Sequence, residues 1–224
     1  MDRVLAFVEG PTEEKFIGET IAPELRSRNV FITATTPGRK RSEGGVKSWV
    51  RIRRELLRYL KEDAHRFVTT MFDYYGMPTD WPGREAARSL AHSRKAATVE
   101  SKILDDISET MGNAFDRRRL IPYVQMHEFE ALLFSAPDIL GGVVPEQGIA
   151  DDLQDIVDSF QSPEEIDDNP NAAPSKRILC LYPQYQKVLH GNIAAQRIGL
   201  ALMRHKCPHF AEWLTKLESI GQGN

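Results

Sequence analysis

Val4-Leu-Ala-Phe-Val-Glu-Gly-Pro-Thr-Glu13 is the stretch on which the reading of this 224-residue chain turns. An apolar, β-favouring run leads straight into an acid, a glycine and a proline, which reads as a buried strand stopping at Val8 and a tight turn at Gly10-Pro11. Thr12-Glu-Glu-Lys15 then opens a helix, with Thr12 as the expected N-cap and Glu13 and Glu14 in the first turn, where the helix dipole favours negative charge. Glu9 therefore falls at the carboxyl end of a strand, the edge of an open α/β sheet where ligands bind.

Working outward, Phe16, Ile17, Ile21 and Leu25 continue that helix to about Arg28, with Pro23 as a kink or restart. Val30 to Ala34 and Phe67 to Phe72 read as second and third strands, and Trp49, Ile52, Leu56 and Leu60 mark the helix between them. Arg84 to Met111 is expected to be helical in two pieces, and Leu120 to Met126 to be a fourth strand. Strands alternating with helices imply a mostly parallel four-stranded sheet flanked by helices. Beyond Pro137 no strand is expected: Asp151 to Asp168 reads as an acidic helical region, Asn169 to Pro174 as a linker or loop, and short helices follow at Ser175–Tyr182, Tyr185–Leu189, Ile193–Arg204 and Pro208–Leu217. The expected division is an α/β core over 1–135 and a helical extension over 136–224.

Composition narrows the class. A net charge of −3 argues against wholesale electrostatic binding of nucleic acid, yet Arg39-Lys-Arg41, Lys47, Arg51, Arg53 and Arg54 gather positive charge locally, enough to hold phosphates. No apolar run reaches the roughly 18 residues a membrane helix needs, and no secretory signal opens the chain, so a cytoplasmic protein without membrane association is expected. Cys180 and Cys207 lack the spacing of a disulfide framework or zinc ribbon. GxxxxGK[ST], GxGxxG and GxSxG are absent, which disfavours self-contained ATP hydrolysis, dinucleotide binding and acyl transfer.

The strand ends carry acids: Glu9, Asp73, and Glu128 with Glu130. In a parallel sheet these ends share one edge, and clustered carboxylates are compensated directly by a divalent cation. Oxygen-only ligands suit Mg²⁺ or Mn²⁺ and the processing of phosphate esters. On a regular helix Glu128 and Glu130 would diverge, so only one, Glu128, is expected to face such a site. Lys176 and Arg177 are candidates for phosphate contact, against a solvated helix start capped by Ser175. Lys187 and His190, at i and i+3, share a helix face that reads better as surface. His127 adjoins the acids, and hydrogen bonding is its commoner use. Tyr74, Tyr75 and Trp81 either stack on a base or close a loop over the sheet edge. His205-Lys-Cys-Pro-His209 is half of a metal clip at best, and a helix break at Pro208 accounts for it.

Val8-Glu-Gly-Pro-Thr-Glu13, Gly44-Gly-Val46, Met71-Phe-Asp-Tyr-Tyr-Gly76, His127-Glu-Phe-Glu-Ala-Leu-Leu-Phe134, Pro174-Ser-Lys-Arg177 and Tyr185-Gln-Lys-Val-Leu-His-Gly191 together resemble the bacterial family DUF4276 over nearly the whole chain. Through shorter motifs, residues 1–135 also resemble the Toprim domain of primases, topoisomerases and overcoming-lysogenization-defect nucleases. That resemblance implies a Toprim-like fold in which Glu9 is a metal contact or general acid/base and Asp73 the first acid of a paired-aspartate motif. Here the second acid is replaced, since Tyr75 follows Asp73-Tyr74. Glu128 or Glu130 would substitute, or the site would hold one metal or none.

The expectation that follows is a Mg²⁺- or Mn²⁺-dependent nuclease. Glu9, Asp73 and Glu128 would be catalytic with Lys176, Glu130 would complete the metal ligands, and Arg39, Arg41, Lys47 and Arg177 would bind a DNA or RNA backbone. The resemblance further implies a separate ABC- or AAA-type ATPase partner in a bacterial defence module. The alternative is a non-catalytic subunit of such a module that binds a partner, phosphate or nucleotide. Oligomeric state stays open.

Overall fold

The computed structural model describes residues 2–38, 47–144, 148–166 and 172–222. The chain forms two compact units, 1–125 with 213–224, and 126–212.

The first unit is built on a parallel sheet of β1 (Asp2–Val8), β2 (Val30–Thr35), β3 (Phe67–Asp73), β4 (Leu120–Ile121) and β5 (Val124–Gln125). The order is β2-β1-β3-β4, with β5 also on β3, and every pairing is parallel. The helices are α1 (Pro11–Phe16), α2 (Ala22–Arg26), α3 (Trp49–Glu62), α4 (Arg84–Ala87) and α5 (His92–Met111). Central β1 and β3 are covered on both faces, which is why they read as near-continuous apolar runs: Ala6, Phe7, Val8, Val68, Met71 and Phe72 have essentially no exposure.

Two local departures from the sequence reading have physical causes. Gly10, not Thr12, is the N-cap of α1, because Pro11 takes the first helical position, where its missing N–H costs nothing. Glu13 completes the cap by accepting the Gly10 N–H at 2.9 Å. Pro23 does not end the helix: the backbone stays helical through a π-helical turn over Ile17–Ile21 and on into α2, where Pro23 takes a first-turn position.

The expected fourth strand is split into β4 and β5 at Pro122, which has no N–H to give the ladder. Threonines of β3 bridge the break. Thr69 Oγ1 donates to the Ile121 carbonyl at 2.6 Å, and Thr70 Oγ1 both donates to the Tyr123 carbonyl and accepts its N–H. Trp213 closes this side, stacked on Tyr123 at 4.3 Å and donating its indole N–H to Thr69.

In the second unit no strand occurs among the described residues. A wholly buried 3₁₀ segment, Phe129–Ser135, is packed by α8 (Pro174–Leu181), α9 (Asn192–Lys206) and a π-helical turn over Lys187–Gly191. The short helix α6 (Pro137–Gly141) and α7 (Ile149–Asp158) pack on each other. The last helix, α10 (Pro208–Ile220), is capped by Glu164, whose buried carboxylate accepts the N–H groups of His209 and Phe210, each at 2.9 Å. Burial raises the pKa of Glu164, and those two amides oppose the rise.

Candidate active site

At the carboxyl edge of the sheet, β1 and β3 run in register with Val8 beside Met71. Glu9 extends the ladder by donating its N–H to the Met71 carbonyl, and its side chain turns across the strand end to accept the Asp73 N–H at Oε2, 3.1 Å away. The sheet thus joins two acids that lie 64 positions apart in sequence. Asp73 is buried, at 7% exposure, and Glu9 is half-buried. Glu13 lies one turn on and is anchored to Gly10.

The segment after β3 closes over this edge. Tyr74 and Trp81 are buried, so the loop-closing role holds for them and base stacking does not. The Trp81 indole donates to the Lys47 carbonyl, Asp80 accepts the Trp49 N–H at the start of α3, and Arg84 lies 4.0 Å over the Tyr74 ring. Lys47 is therefore fixed at the entry to α3 through its backbone. Arg39 and Arg41 lie outside the described residues, as do Lys40 and Gly44-Gly-Val46.

The other acids meet in the second unit, in a way the helical reading missed. Glu128 is extended (φ −139°, ψ 160°) and a tight 3₁₀ segment follows, so Glu128 and Glu130 do not diverge as they would on an α-helix. Lys187 Nζ stands 2.9 Å from Glu130 Oε2 and 3.9 Å from Glu128 Oε1. Glu128 also accepts the Ser175 N–H at 2.8 Å, so Ser175 sits inside the first turn of α8, and Ala173 is the N-cap. Glu130 is fully buried, and burial pushes its pKa up to about 7 against the pull of Lys187, with Glu128 adding to the rise. Tyr185 lies beside them, its phenol pushed up by burial and then by the charges of Glu130 and Glu128. Its hydroxyl and Glu130 Oε1 have no hydrogen-bond partner among the described residues.

Lys187 thus belongs to the carboxylate pair rather than to a plain surface. The i, i+3 spacing from His190 was its only sequence signal. His190 itself accepts the Gln186 N–H through Nδ1. Lys176 is exposed, whereas Arg177 donates to the Ala172 carbonyl at 2.7 Å and lies over the Phe160 ring. His127 is buried. Cys207 is buried with Sγ 3.4 Å from Ser135 Oγ, and burial pushes the thiol up and keeps it protonated.

Among the described residues no group of three or more acids, histidines or cysteines is gathered to hold a metal. Glu9 and Asp73 instead match what Mg²⁺ takes from many proteins: one or two carboxylates, with water and substrate phosphate completing the shell. Glu128 and Glu130 already share an ammonium, which leaves a divalent ion no place there while Lys187 stays.

The fold and this edge define an open, parallel α/β protein with carboxylates at the carboxyl edge of its sheet. The chain belongs to the DUF4276 family, described as a domain of unknown function, whose model matches residues 8–218. No curated protein and no solved structure matches it. No helix among the described residues is long and apolar enough to cross a membrane.

Proposed function

We propose that this chain is a Mg²⁺- or Mn²⁺-dependent hydrolase of phosphodiester bonds in DNA or RNA, with its reacting edge at the carboxyl ends of β1 and β3. The observation that carries the reading is the hydrogen bond from the Asp73 N–H to Glu9 Oε2, which aligns two acids on the edge where open α/β sheets bind ligands. The resemblance of the Glu9 and Asp73 motifs to Toprim domains supports it.

Glu9 and Asp73 would hold the ion. When bound, such an ion polarises phosphate oxygens and supplies hydroxide at neutral pH. The Asp73 amide fixes the direction of Glu9, and the Gly10–Glu13 cap fixes the turn that follows. Glu128 and Glu130 act with Lys187 rather than as metal ligands, and exposed Lys176 is available to a substrate phosphate. A separate ABC- or AAA-type ATPase remains the partner the resemblance implies, together with a role in bacterial defence.

Tyr75 in place of a second aspartate favours one other reading, a non-catalytic subunit that binds phosphate or nucleotide. Calorimetric titration with Mn²⁺ separates the two, using wild type, Glu9→Gln and Asp73→Asn, alongside cleavage of an end-labelled oligonucleotide. Binding and cleavage in wild type, lost in both variants, are expected. Phosphate binding without metal-dependent cleavage would transfer the case to the subunit reading.

A further inference from the structure

We infer that Thr35, Thr36, Arg54 and Arg58 form a binding pocket for a phosphate group beside the Glu9–Asp73 edge. A cavity of about 430 Å³ opens between the end of β2 and the adjoining face of α3, lined by these four residues with Gly38, Glu55 and Tyr59. In the parallel register Thr35 lies opposite Phe7, so the cavity sits on the carboxyl edge of the sheet, two residues before Glu9 on the neighbouring strand. Tyr59 ties it to that strand by packing edge-to-face on Phe7 at 5.4 Å.

The charges in the cavity are not self-compensated. Its one acid, Glu55, is already engaged by Arg51 at 3.8 Å and by the Tyr59 hydroxyl at 3.5 Å. Arg58 pairs with Glu62, which does not line the cavity, at 3.6 Å and lies over the Tyr59 ring at 4.7 Å. Arg54 is exposed and has no carboxylate partner among the described residues. Arg54 and Arg58 stand at i and i+4, where like charges repel, an arrangement that a bound anion relieves. The Thr35 and Thr36 side chains are half-buried, and neither hydroxyl makes a hydrogen bond among the described residues. Two guanidinium forks and two hydroxyls are the donor set that a phosphate accepts from.

Gly38 completes the wall. Its φ of +88° favours glycine, and a Cβ there would collide with the Arg51 guanidinium.

The site deepens the phosphodiester reading and rests on it for the identity of the substrate. The shared chemistry is the phosphate group, supplied by a polynucleotide backbone or by a free phosphate compound. The test measures binding in EDTA, with inorganic pyrophosphate by calorimetry and a fluorescein-labelled oligonucleotide by anisotropy. Wild type, Arg54→Ala, Arg58→Ala, their double variant, Thr35→Ala/Thr36→Ala and the off-pocket control Lys61→Ala are compared. Each arginine should contribute roughly tenfold in affinity, the double variant roughly a hundredfold, and the threonine pair severalfold. The slope of log K against log salt for the oligonucleotide should fall by about two in the double variant and by about one or less in Lys61→Ala.

Binding of the oligonucleotide alone assigns the pocket to a polymer backbone, and binding of both probes to any phosphate group. Failure of both probes to bind, or unchanged affinity in the double variant, overturns the proposal. Glu9→Gln separates the two readings. Phosphate binding retained in Glu9→Gln, with no metal-dependent cleavage even in wild type, leaves the pocket standing without the hydrolase. Cleavage with unchanged KM in the arginine double variant removes the pocket and leaves the hydrolase.

Discussion

Two pairs of carboxylates in this molecule are held in opposite ways. Glu9 and Asp73 meet at a strand end through a backbone amide, with Asp73 buried and Glu9 half-buried. Glu128 and Glu130 meet around a lysine, and Glu130 is wholly buried with its pKa pushed up to about 7. The amide that reaches Glu9 supplies a hydrogen bond and no net charge. The ammonium satisfies the second pair electrostatically while burial works against full ionisation. Sequence alone presents four acids after strand ends; what reaches each of them, an amide or an ammonium, is what separates the two pairs.

The largest effect expected from this contrast is on the pH dependence of stability. Below about pH 4.5 Glu130 is protonated in both folded and unfolded chains. Between 4.5 and about 7 the unfolded chain releases a proton that the folded chain keeps, so stability falls as pH rises, and above 7 the loss is constant. The loss attributable to Glu130 is on the order of 3 kcal/mol. Urea titrations of wild type and Glu130→Gln across that range should show the slope in the former and its disappearance in the latter; equal slopes would mean that burial does not govern this carboxyl.

Next in size, Asp73→Asn should weaken Mn²⁺ binding by about 100-fold or more, at least the upper end of what losing a supporting residue costs. Glu130→Gln should leave the Mn²⁺ affinity within about twofold, since Lys187 and not a metal faces it. Equal losses in both variants would erase the distinction between the pairs.

Lys187→Met should destabilise the protein by about 2 kcal/mol at pH 8, below the 3–5 kcal/mol of a fully buried pair because the lysine side chain is 43% exposed. Chemical denaturation checks this, and lowering the pH to 5 should restore most of the loss as Glu130 takes up a proton. Smallest is Glu13→Ala, expected to cost about 1 kcal/mol by removing the cap on the Gly10 amide. Thermal melting would register it, with Glu14→Ala as the comparison, since Glu14 bonds Gly10 through its backbone N–H, which that substitution keeps.

Much of the fold was legible because its signals are local. Buried parallel strands read as apolar runs, and β1, β2 and β3 were found with their carboxyl ends correct to within a residue. Glu9 and Asp73 were legible as strand-end acids for the same reason. The break between β4 and β5 was harder, since it depends on Pro122 meeting the hydroxyls of Thr69 and Thr70 from another strand. The pairing of Glu128 with Glu130 was misread because helical periodicity was assumed where the backbone is extended and then 3₁₀. The place of Trp213 against Tyr123 and Thr69 has no local signal at all.

The sequence by itself determined the α/β class, the parallel sheet, the helices among the described residues beyond Pro137 and the family, because these follow from hydrophobic period, turn residues and short motifs. Only the tertiary structure decided which acids touch a backbone amide and which a lysine, that Tyr74 and Trp81 belong to the core, and that Arg54 and Arg58 share a cavity with Thr35 and Thr36. Periodicity says which face of an element is buried. It does not say which side chain from a distant element arrives there, and that arrival sets charge, solvation and chemistry.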